Sequence, residues 1–376
     1  MKYYIIAGEA SGDLHAANLI KGIKAKDKDA DIRAWGGDLM EAQGANVVKH
    51  FRDLAFMGFL EVLMNLKTIL GNIKWCKRDI QDFQPDMLIL VDYPGFNLRI
   101  ASFAKELGVP VFYYISPQIW AWKESRVKQI KSDVDKMYCI LPFEKDFYKK
   151  HNYEAHFVGH PLLDAIAQFK LEEKGITEGA DSRKMIALLP GSRKQEIAKM
   201  LPVMADVVDR FPNYRFVLAV APSMDVSFYE EFVGAAKNSI SFAEGKTYDL
   251  LKKADAALVT SGTATLETAL FRVPEIVCYK TSKVSYFLAK QLVKIKYISL
   301  VNLIVDKMIV PELIQSECNA DRIEIELLKI LSGESREKML SNYDELIDRL
   351  GGIGASQKTA NLMLTHFEEI KKNKNS

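Results

Sequence analysis

The 376-residue sequence has few cysteines and almost no net charge. Its four cysteines lie far apart and form no CxxC pair. This spacing is typical of a protein in a reducing compartment, whose cysteines are buried as free thiols. The 51 Lys and Arg residues balance 49 Asp and Glu residues. Because nucleic-acid-binding proteins carry a basic excess, the composition does not indicate such a partner.

Long apolar runs are also absent. No segment reaches the roughly 18 uninterrupted apolar residues of a membrane-spanning helix. The N-terminal apolar run is short, and the acidic residues Glu9 and Asp13 follow it closely. We therefore interpret it as a first strand rather than a signal peptide.

The segment from Leu54 to Trp75 comes closest to a membrane-active sequence, although charged and polar residues interrupt it. As a helix lying on a membrane surface, it would insert Phe56, Met57, Phe59, Leu60 and Leu63. The nearby basic residues Lys67, Lys74, Lys77 and Arg78 would favour anionic headgroups. The alternative, which the pattern alone favours, is an amphipathic helix packed on the core.

Familiar cofactor and metal motifs are missing. The sequence has neither GxGxxG nor GxxxxGK[ST], which argues against a plain dinucleotide enzyme and a P-loop protein. Asp133-Val134-Asp135 precedes its predicted strand and so lies at the wrong end of the sheet. His156 and His160, if on one strand, would be ~13 Å apart, too far to share an ion. We therefore predict no metal and no cofactor.

What the sequence does contain is a repeated alternation of short apolar runs and amphipathic helical segments. This alternation predicts an α/β protein with parallel, doubly wound sheets. The predicted strands of the first half are Tyr3–Ala7, Ile32–Trp35, Met87–Val91, Val111–Ile115, Lys136–Ile140 and His156–Val158. Those of the second half are Met185–Leu189, Arg215–Val220, Ile240–Phe242, Ala256–Val259 and Glu275–Tyr279.

The chain length favours two domains. We predict a first Rossmann-like domain over 1–167, a charged linker over 168–184 and a second Rossmann-like domain over 185–350. Residues 351–376 are predicted to form a C-terminal helix and tail that pack back toward the first domain. Ligands of such folds bind at the carboxyl ends of the strands, so we expect a cleft between the two sets of strand ends.

The pattern of segment 256–270 predicts a buried strand, a turn of small residues and a helix. Ser261, Gly262, Thr263 and Ala264 bring backbone N–H groups and the positive end of the helix dipole toward a ligand, which suits a diphosphate. Glu267, one turn into the helix, can accept hydrogen bonds from a sugar hydroxyl. The alternative is a helix capped by Ser261 or Thr263 with no ligand.

A second turn of this kind closes the first strand of the second half. Gly191 opens the turn, and Ser192 and Arg193 follow it. A guanidinium here, opposite the dipole of the other turn, would bind a diphosphate and act mainly on the transition state as the leaving group gains charge. The alternative is a surface arginine on a tight turn.

Two carboxylates follow strands of the first half. Asp92 ends the strand Met87–Val91 and could accept a proton from a hydroxyl nucleophile. Glu9 ends the first strand in the same way. If the two share one cavity, their repulsion raises one pKa and makes a better base. The alternative for Asp92 is a turn residue that bonds its own backbone.

Many ordered blocks of the chain resemble the lipid-A-disaccharide synthases, a family of inverting glycosyltransferases of bacterial outer-membrane biosynthesis. The resemblance covers nearly the whole length. The blocks are AGEASGDLHA (7–16), FMGFLEVL (56–63), DYPGFNLRIA (92–101), SPQIWAWKESRVKQI (116–130), LPFEKDFY (141–148), FVGHP (157–161), LLPGSR (188–193), SGTATLETAL (261–270) and YFLAKQLVKIKYISLVNLI (286–304).

The resemblance implies a two-domain GT-B glycosyltransferase. Its donor would be UDP-2,3-diacylglucosamine, its acceptor 2,3-diacylglucosamine 1-phosphate (lipid X), and its products the β-1,6-linked disaccharide 1-phosphate and UDP. It implies peripheral association with the cytoplasmic face of the inner membrane, which moves the interpretation of 54–75 toward a membrane-facing patch.

The resemblance also assigns residues. Asp92 matches the family's implicated base, Glu9 its Glu of GEASGD, and Arg193 and Glu267 its donor-side pair. The family commonly has a second Asp in the DxPDFN block, where this chain has Gly95.

Further residues are expected on the acceptor side of the cleft, although core packing is an equal alternative for the tryptophans. They are Ser11, Gly12, Asn97, Gln118, Trp120 and Trp122. Two other functions stay open at this point, a UDP-sugar 2-epimerase of the same architecture and a non-catalytic nucleotide-sugar or lipid-binding protein. Monomer and homodimer are both compatible with the sequence.

Overall fold

The chain forms two compact units, seen in a computed structural model. The first unit consists of Met1–Asp164 and Leu350–Ser376, and the second of Ala165–Arg349. The described residues are 1–54, 66–171, 182–222, 224–282, 286–287, 291 and 295–375.

The described part of the first unit contains a parallel sheet of seven strands in the order β3-β2-β1-β4-β5-β6-β7. The strands are β1 (Lys2–Ala7), β2 (Asp31–Gly36), β3 (Asn46–His50), β4 (Met87–Val91), β5 (Val111–Tyr114), β6 (Lys136–Cys139) and β7 (Ala155–Phe157). All of β4 and all but the first residue of β1 are buried, as expected when helices cover both faces of a parallel sheet.

Helices connect these strands and flank the sheet. They are α1 (Ala10–Lys24), α2 (Asp38–Ala42), α3 (Leu66–Phe83), α4 (Pro94–Glu106), α5 (Ile119–Trp122), α6 (Val127–Asp133), α7 (Pro142–Lys150) and, at the C-terminus, α16 (Ala355–Asn375). Helix α8 (Leu162–Leu171) begins in the first unit and continues into the second, which starts at Ala165. Helix α16 packs against α1 so closely that a Cβ at Gly22 would lie 3.0 Å from the Cβ of Ala360. The C-terminal helix therefore belongs to the first unit.

The described part of the second unit contains a parallel sheet of six strands in the order β10-β9-β8-β11-β12-β13. The strands are β8 (Lys184–Leu189), β9 (Tyr214–Val220), β10 (Ile240–Glu244), β11 (Ala256–Thr260), β12 (Glu275–Tyr279) and β13 (Glu312–Ile314). The helices are α9 (Lys194–Ala205), α10 (Val226–Glu230), α11 (Thr247–Lys253), α12 (Thr263–Leu270), α13 (Leu300–Val305), α14 (Ala320–Ile330) and α15 (Glu334–Arg349).

Short 3₁₀ turns complete the described secondary structure of the two units. They are Phe51–Leu54, Glu124–Arg126, Val208–Arg210, Gly234–Asn238 and Gln315–Glu317.

Each sheet reverses its strand order once. In the first unit the chain proceeds outward from β1 through β2 to β3 and then returns to the other side of β1 with β4. In the second unit the same reversal separates β8 from β11. At such a reversal the loops leave the two central strands in opposite directions and open a crevice at their carboxyl ends, which is where ligands of doubly wound folds bind.

The parallel, doubly wound fold predicted from the sequence is confirmed, and all eleven predicted strands are present within a residue or two. The two strands that were not predicted, β3 and β13, lie at sheet edges. Such strands are short and half-buried, so they lack the apolar run that marks a central strand.

Two other predictions fall partly or wholly outside the described residues. Helix α8 continues to Leu171, so its last turn occupies the start of the range 168–184 that was predicted as a linker, and 172–181 are not among the described residues. The predicted membrane patch of Phe56, Met57, Phe59, Leu60 and Leu63 also lies outside them. Within the described chain, no helix is both long enough and apolar enough to cross a bilayer.

Candidate active site at two strand ends

The first strand-end site is formed by Glu9 and Asp92, which follow the two central strands of the first unit. β1 and β4 pair directly, with Ala7 opposite Val91. The loops after them are in contact, because a Cβ at Gly8 would lie 2.4 Å from the ring of Tyr93. Glycine at position 8 therefore allows the two loops to meet at the reversal of strand order.

Asp92 is half-buried in this position, and its electrostatic surroundings suit a base. Burial raises the pKa of Asp92 to about 7, and the negative charge of Glu9 contributes in the same direction. The sequence predicted the repulsion between the two carboxylates, whereas burial is the larger cause. A carboxyl group with a pKa near neutrality is still partly ionised at physiological pH. It also accepts a proton more readily than an ordinary carboxylate does.

The backbone of this turn is unusual. Asp92 and Tyr93 have φ values of 46° and 49°, the left-handed region that residues other than glycine rarely adopt. The carbonyl oxygen of Asp92 accepts hydrogen bonds from Asn97 Nδ2 (2.7 Å) and from the Tyr113 hydroxyl. Asn97 is fully buried and its amide also donates to the Val91 carbonyl at 3.3 Å. The amide is thus directed at the backbone, whereas the sequence suggested an acceptor contact.

The remaining residues expected on the acceptor side differ in exposure. Ser11 is exposed and Gly12 buried in the first turn of α1, where a Cβ at Gly12 would lie 3.3 Å from that of Ala7. Gln118 is exposed, and Trp122 is 54% exposed, so Trp122 is not a core residue. Trp120 is half-buried.

Trp120 is held by a carboxyl group that sequence reasoning did not single out. Its indole Nε1 donates to Glu144 Oε1 at 3.1 Å, and the Leu141 backbone N–H donates to Glu144 Oε2 at 3.1 Å. Glu144 is fully buried, which raises its pKa to about 8. Its position within the block LPFEKDFY was the available signal, but the sequence could not show that it reaches Trp120.

The second strand-end site lies at the corresponding place in the second unit. β8 and β11 pair with Leu189 opposite Val259, so the turns after them, 190–193 and 261–264, are neighbours. Gly191 has φ 110°, and a Cβ there would lie 2.8 Å from Glu196 Oε2. The turn therefore requires glycine both for its backbone and for its close approach to α9.

Arg193, at the end of this turn, is 59% exposed. Its guanidinium forms an ion pair with Glu196 Oε1 at 2.8 Å. A guanidinium has five N–H donors, so this single bond leaves capacity for a planar, bidentate interaction with a phosphate. Ser192, beside it, is also exposed.

The neighbouring turn presents the start of α12. No side chain caps this helix, since Gly262 occupies the cap position and the Ser261 hydroxyl instead donates to the Ile298 carbonyl at 2.8 Å. The alternative in which Ser261 or Thr263 caps the helix is therefore wrong. Thr263 is exposed and Ala264 half-buried. The uncapped N–H groups and the positive dipole end suit an anion.

Glu267 lies one turn further along α12 and is half-buried. The Tyr248 hydroxyl donates to its Oε1 at 3.0 Å. Burial raises the pKa of Glu267 to about 7, while the bond from Tyr248 acts in the opposite direction. Tyr248 comes from α11 and was not predicted, because nothing in its local sequence distinguishes it from a core tyrosine.

Residues considered as metal ligands have other roles. The Val111 backbone N–H donates to Asp135 Oδ2 at 2.9 Å, and the Ser102 hydroxyl donates to Asp133. His160 is buried and accepts the Leu162 N–H at 3.2 Å. Among the described residues, no group of three or more His, Cys, Asp and Glu side chains could hold a metal ion.

Comparison with known proteins finds relatives over nearly the whole chain. The family model described as lipid-A-disaccharide synthetase matches residues 3–365. The lipid-A-disaccharide synthase of Syntrophus aciditrophicus is 39% identical over 372 residues, covering 96% of both chains. That of Myxococcus xanthus is 38% identical over 371 residues, with the same coverage.

Solved structures share the architecture at low sequence identity. The UDP-GlcNAc 2-epimerase of Neisseria meningitidis bound to UDP-GlcNAc has a TM-score of 0.65 at 14% identity, covering 97% of this chain and all 100% of that one. The calicheamicin glycosyltransferase CalG4 has a TM-score of 0.60 at 12% identity, covering 98% of each. These likenesses establish the GT-B fold of two Rossmann-like units, while the family follows from the sequence matches. The chain belongs to the lipid-A-disaccharide synthase family of glycosyltransferases.

Proposed function

We propose that this glycosyltransferase joins UDP-2,3-diacylglucosamine to 2,3-diacylglucosamine 1-phosphate. The products are the β-1,6-linked disaccharide 1-phosphate and UDP. The observation that carries the proposal is the first strand-end site, where burial and Glu9 raise the pKa of Asp92 to about 7. An acceptor hydroxyl needs such a base, and a UDP-sugar donor needs the anion-binding turns of the second unit.

In the proposed reaction, Asp92 removes the proton of the acceptor's 6-hydroxyl group as that oxygen attacks the anomeric carbon of the donor. The attack comes from the face opposite UDP. A carbon–oxygen bond to the acceptor forms while the bond to the diphosphate breaks, and its electron pair leaves with UDP. The configuration inverts in a single displacement. Glu9 orients the acceptor or keeps the Asp92 pKa raised.

On the donor side, we assign the diphosphate to Gly191, Ser192 and Arg193 together with the turn 261–264. The backbone N–H groups at the start of α12 and the Arg193 guanidinium would each bind more strongly as negative charge develops on the leaving group. Glu267 would accept a hydrogen bond from a ribose hydroxyl, and Tyr248 holds it in place at 3.0 Å.

On the acceptor side, exposure separates the candidates. Ser11, Gln118 and Trp122 are exposed and can touch a lipid-linked sugar directly. Gly12 is buried, so it would contribute close backbone approach rather than a side chain. Trp120 is half-buried, so its exposed part could contact the sugar while Glu144 fixes its Nε1.

The reaction is tested by incubating the purified protein with UDP-2,3-diacylglucosamine, with and without 2,3-diacylglucosamine 1-phosphate. We expect disaccharide 1-phosphate by mass spectrometry, a β linkage by NMR, and UDP release that requires the acceptor. Conversion of the donor to its 2-epimer without acceptor would identify an epimerase. Donor binding with no turnover under either condition would identify a binding protein.

We also propose peripheral association with an anionic membrane surface. Helix α3 presents Lys67, Lys74 and Arg78 to solvent, and Leu70 and Trp75 on the same helix are about half exposed. Basic residues near an anionic surface contribute about 1 kcal/mol each, and exposed apolar side chains add burial in the interface.

Vesicle sedimentation tests this association. The triple variant K74E/K77E/R78E is expected to lose binding to anionic vesicles, whereas K149E/K150E, which changes exposed lysines on α7, is expected to keep it. The double variant F56S/L60S tests the predicted apolar patch and is also expected to lose binding to anionic vesicles. Binding that none of these changes weakens would contradict the proposal.

A further inference from the structure

We propose that Tyr113 and Asn97 are positioning residues that hold the strained Asp92 turn, defined as residues 91–94, in the conformation that aims the Asp92 carboxylate at the acceptor. This inference rests on the proposed function of Asp92. It assigns to Asn97 a role beneath the site rather than contact with the acceptor, and it adds Tyr113, for which the local sequence gives no signal.

The strain is a property of the backbone. Asp92 and Tyr93 are two consecutive residues with left-handed φ values of 46° and 49°, and neither is glycine or asparagine. Such conformations persist only where surrounding contacts enforce them, and they concentrate at functional sites. A turn released from these contacts would return toward ordinary φ values and rotate the Asp92 side chain away from its present position.

The contacts that enforce the turn converge on the backbone of one residue, Asp92. The Asp92 N–H donates to the Tyr114 carbonyl at 3.1 Å, continuing the β4–β5 ladder. Its carbonyl oxygen accepts from both Asn97 Nδ2 and the Tyr113 hydroxyl, which uses both lone pairs of that oxygen. Tyr113 and Asn97 are both 0% exposed, so water does not compete for these bonds.

A third support acts on the next residue. The Tyr93 ring lies against Gly8, whose missing side chain leaves the space that the ring occupies. The groups that act on the pKa of Asp92 are Glu9, from the loop after β1, which raises it, and the backbone N–H of Tyr93, which lowers it. The Tyr113 hydroxyl lies close enough that the charge of Asp92 raises the pKa of Tyr113. This hydroxyl is directed at the backbone of Asp92, so its removal changes the position of the carboxylate without removing a charge.

The chain offers a matched pair of variants. Y113F removes the hydroxyl that bonds the Asp92 carbonyl and keeps the ring in the core. Y114F removes a hydroxyl from the next residue of β5, which points to the opposite face, beside Ser356 and Thr359 of α16, and it leaves the Tyr114 carbonyl in place. Both tyrosines are fully buried, and both changes keep the ring in the core.

We expect Y113F to lower kcat by about 10- to 100-fold, the scale of a small misplacement of a catalytic group, with KM for the donor unchanged. The relaxed carboxylate gains solvent, so the acidic limb of the pH–rate profile moves to lower pH. Y114F keeps the kcat and pH profile of the unmodified protein. N97A shifts both quantities in the same direction as Y113F, and the effects of the two changes combine non-additively because both donors hold one oxygen.

A readout that does not depend on turnover is the ¹³C carboxyl titration of Asp92 in the ligand-free protein, assigned with D92N. We expect Y113F to move this titration to lower pH and Y114F to leave it unchanged. Should Y113F and Y114F have the same titration and the same kcat while D92N is inactive, the positioning role is overturned and the proposed function stands. An active D92N protein overturns the proposed role of Asp92 as the base, and the titration then still decides whether Tyr113 holds the turn.

Discussion

The two units place different chemistry at the same topological position. In each, the loops after the two central strands meet where the strand order reverses. The first unit puts two carboxylates there, Glu9 in the loop after β1 and Asp92 on a strained, half-buried turn. The second puts a left-handed glycine, an exposed arginine and an uncapped helix there. One favours proton transfer, and the other favours binding of an anion.

This difference shows that the fold determines the position of a site and the side chains determine its chemistry. The doubly wound topology determines where a crevice opens, because loops diverge only at the reversal of strand order. The side chains at the strand ends determine what the crevice does. Burial raises the pKa of Asp92 to about 7, whereas Arg193 in the second unit is left accessible to a ligand.

The largest expected effect is the loss of turnover when the proposed base of the first unit, Asp92, is replaced. D92N keeps the size and hydrogen-bonding shape of the side chain but removes its basicity. Because general-base catalysis contributes about 10²–10⁴-fold, turnover is expected to fall by that factor. Steady-state assays of UDP release measure it. Turnover within twofold of the unmodified protein would remove Asp92 as the base.

The next effect concerns Arg193 in the second unit. Hydrogen bonds to a charged group contribute about 1.5–3 kcal/mol, so R193A should raise KM for the donor by about 10- to 100-fold. R193K keeps the charge but loses the planar pair of donors. Its KM for the donor should lie between those of the unmodified protein and R193A. Equal KM values for all three proteins would show that the diphosphate binds elsewhere.

A smaller effect sharpens the role of the glycine turn. G191A forces an alanine into φ 110° and against Glu196 Oε2, at a cost of about 1–3 kcal/mol of stability, and should weaken donor binding several-fold. G245A is the control, because Gly245 also has positive φ but no atom lies within 4 Å of its Cβ position. Thermal unfolding and donor titration compare them. Loss of donor binding in G245A as well would point to general destabilisation.

The smallest effect tests the coupling between the two carboxylates. The negative charge of Glu9 raises the pKa of Asp92, so E9Q should lower that pKa and move the acidic limb of the kcat/KM profile to lower pH. Burial is the larger cause, so the limb should stay above the ordinary value of 3.8. An acidic limb that moves upward, or not at all, would contradict the assigned interaction.

Much of this arrangement is readable from sequence, and the reason is local. Met87–Val91 is an apolar run bounded by turn residues, so its end, and hence the position of Asp92, follows from a short stretch of sequence. Glycine at 191 and the small residues at 261–264 likewise mark their turns locally.

The unpredicted features depend on contacts between residues distant in the chain. The Tyr113 hydroxyl reaches Asp92, Glu144 reaches Trp120 and Tyr248 reaches Glu267 only because the sheets bring their elements together. Burial is a property of the assembled unit, so its dominance in raising the Asp92 pKa was also beyond a reading of residue types.

The most direct test of the division between the two units is a calorimetric titration of UDP into D92N and R193A side by side. The account predicts that D92N binds UDP as tightly as the unmodified protein, while R193A binds it about 10- to 100-fold more weakly. Weakened UDP binding in D92N together with unchanged binding in R193A would contradict it.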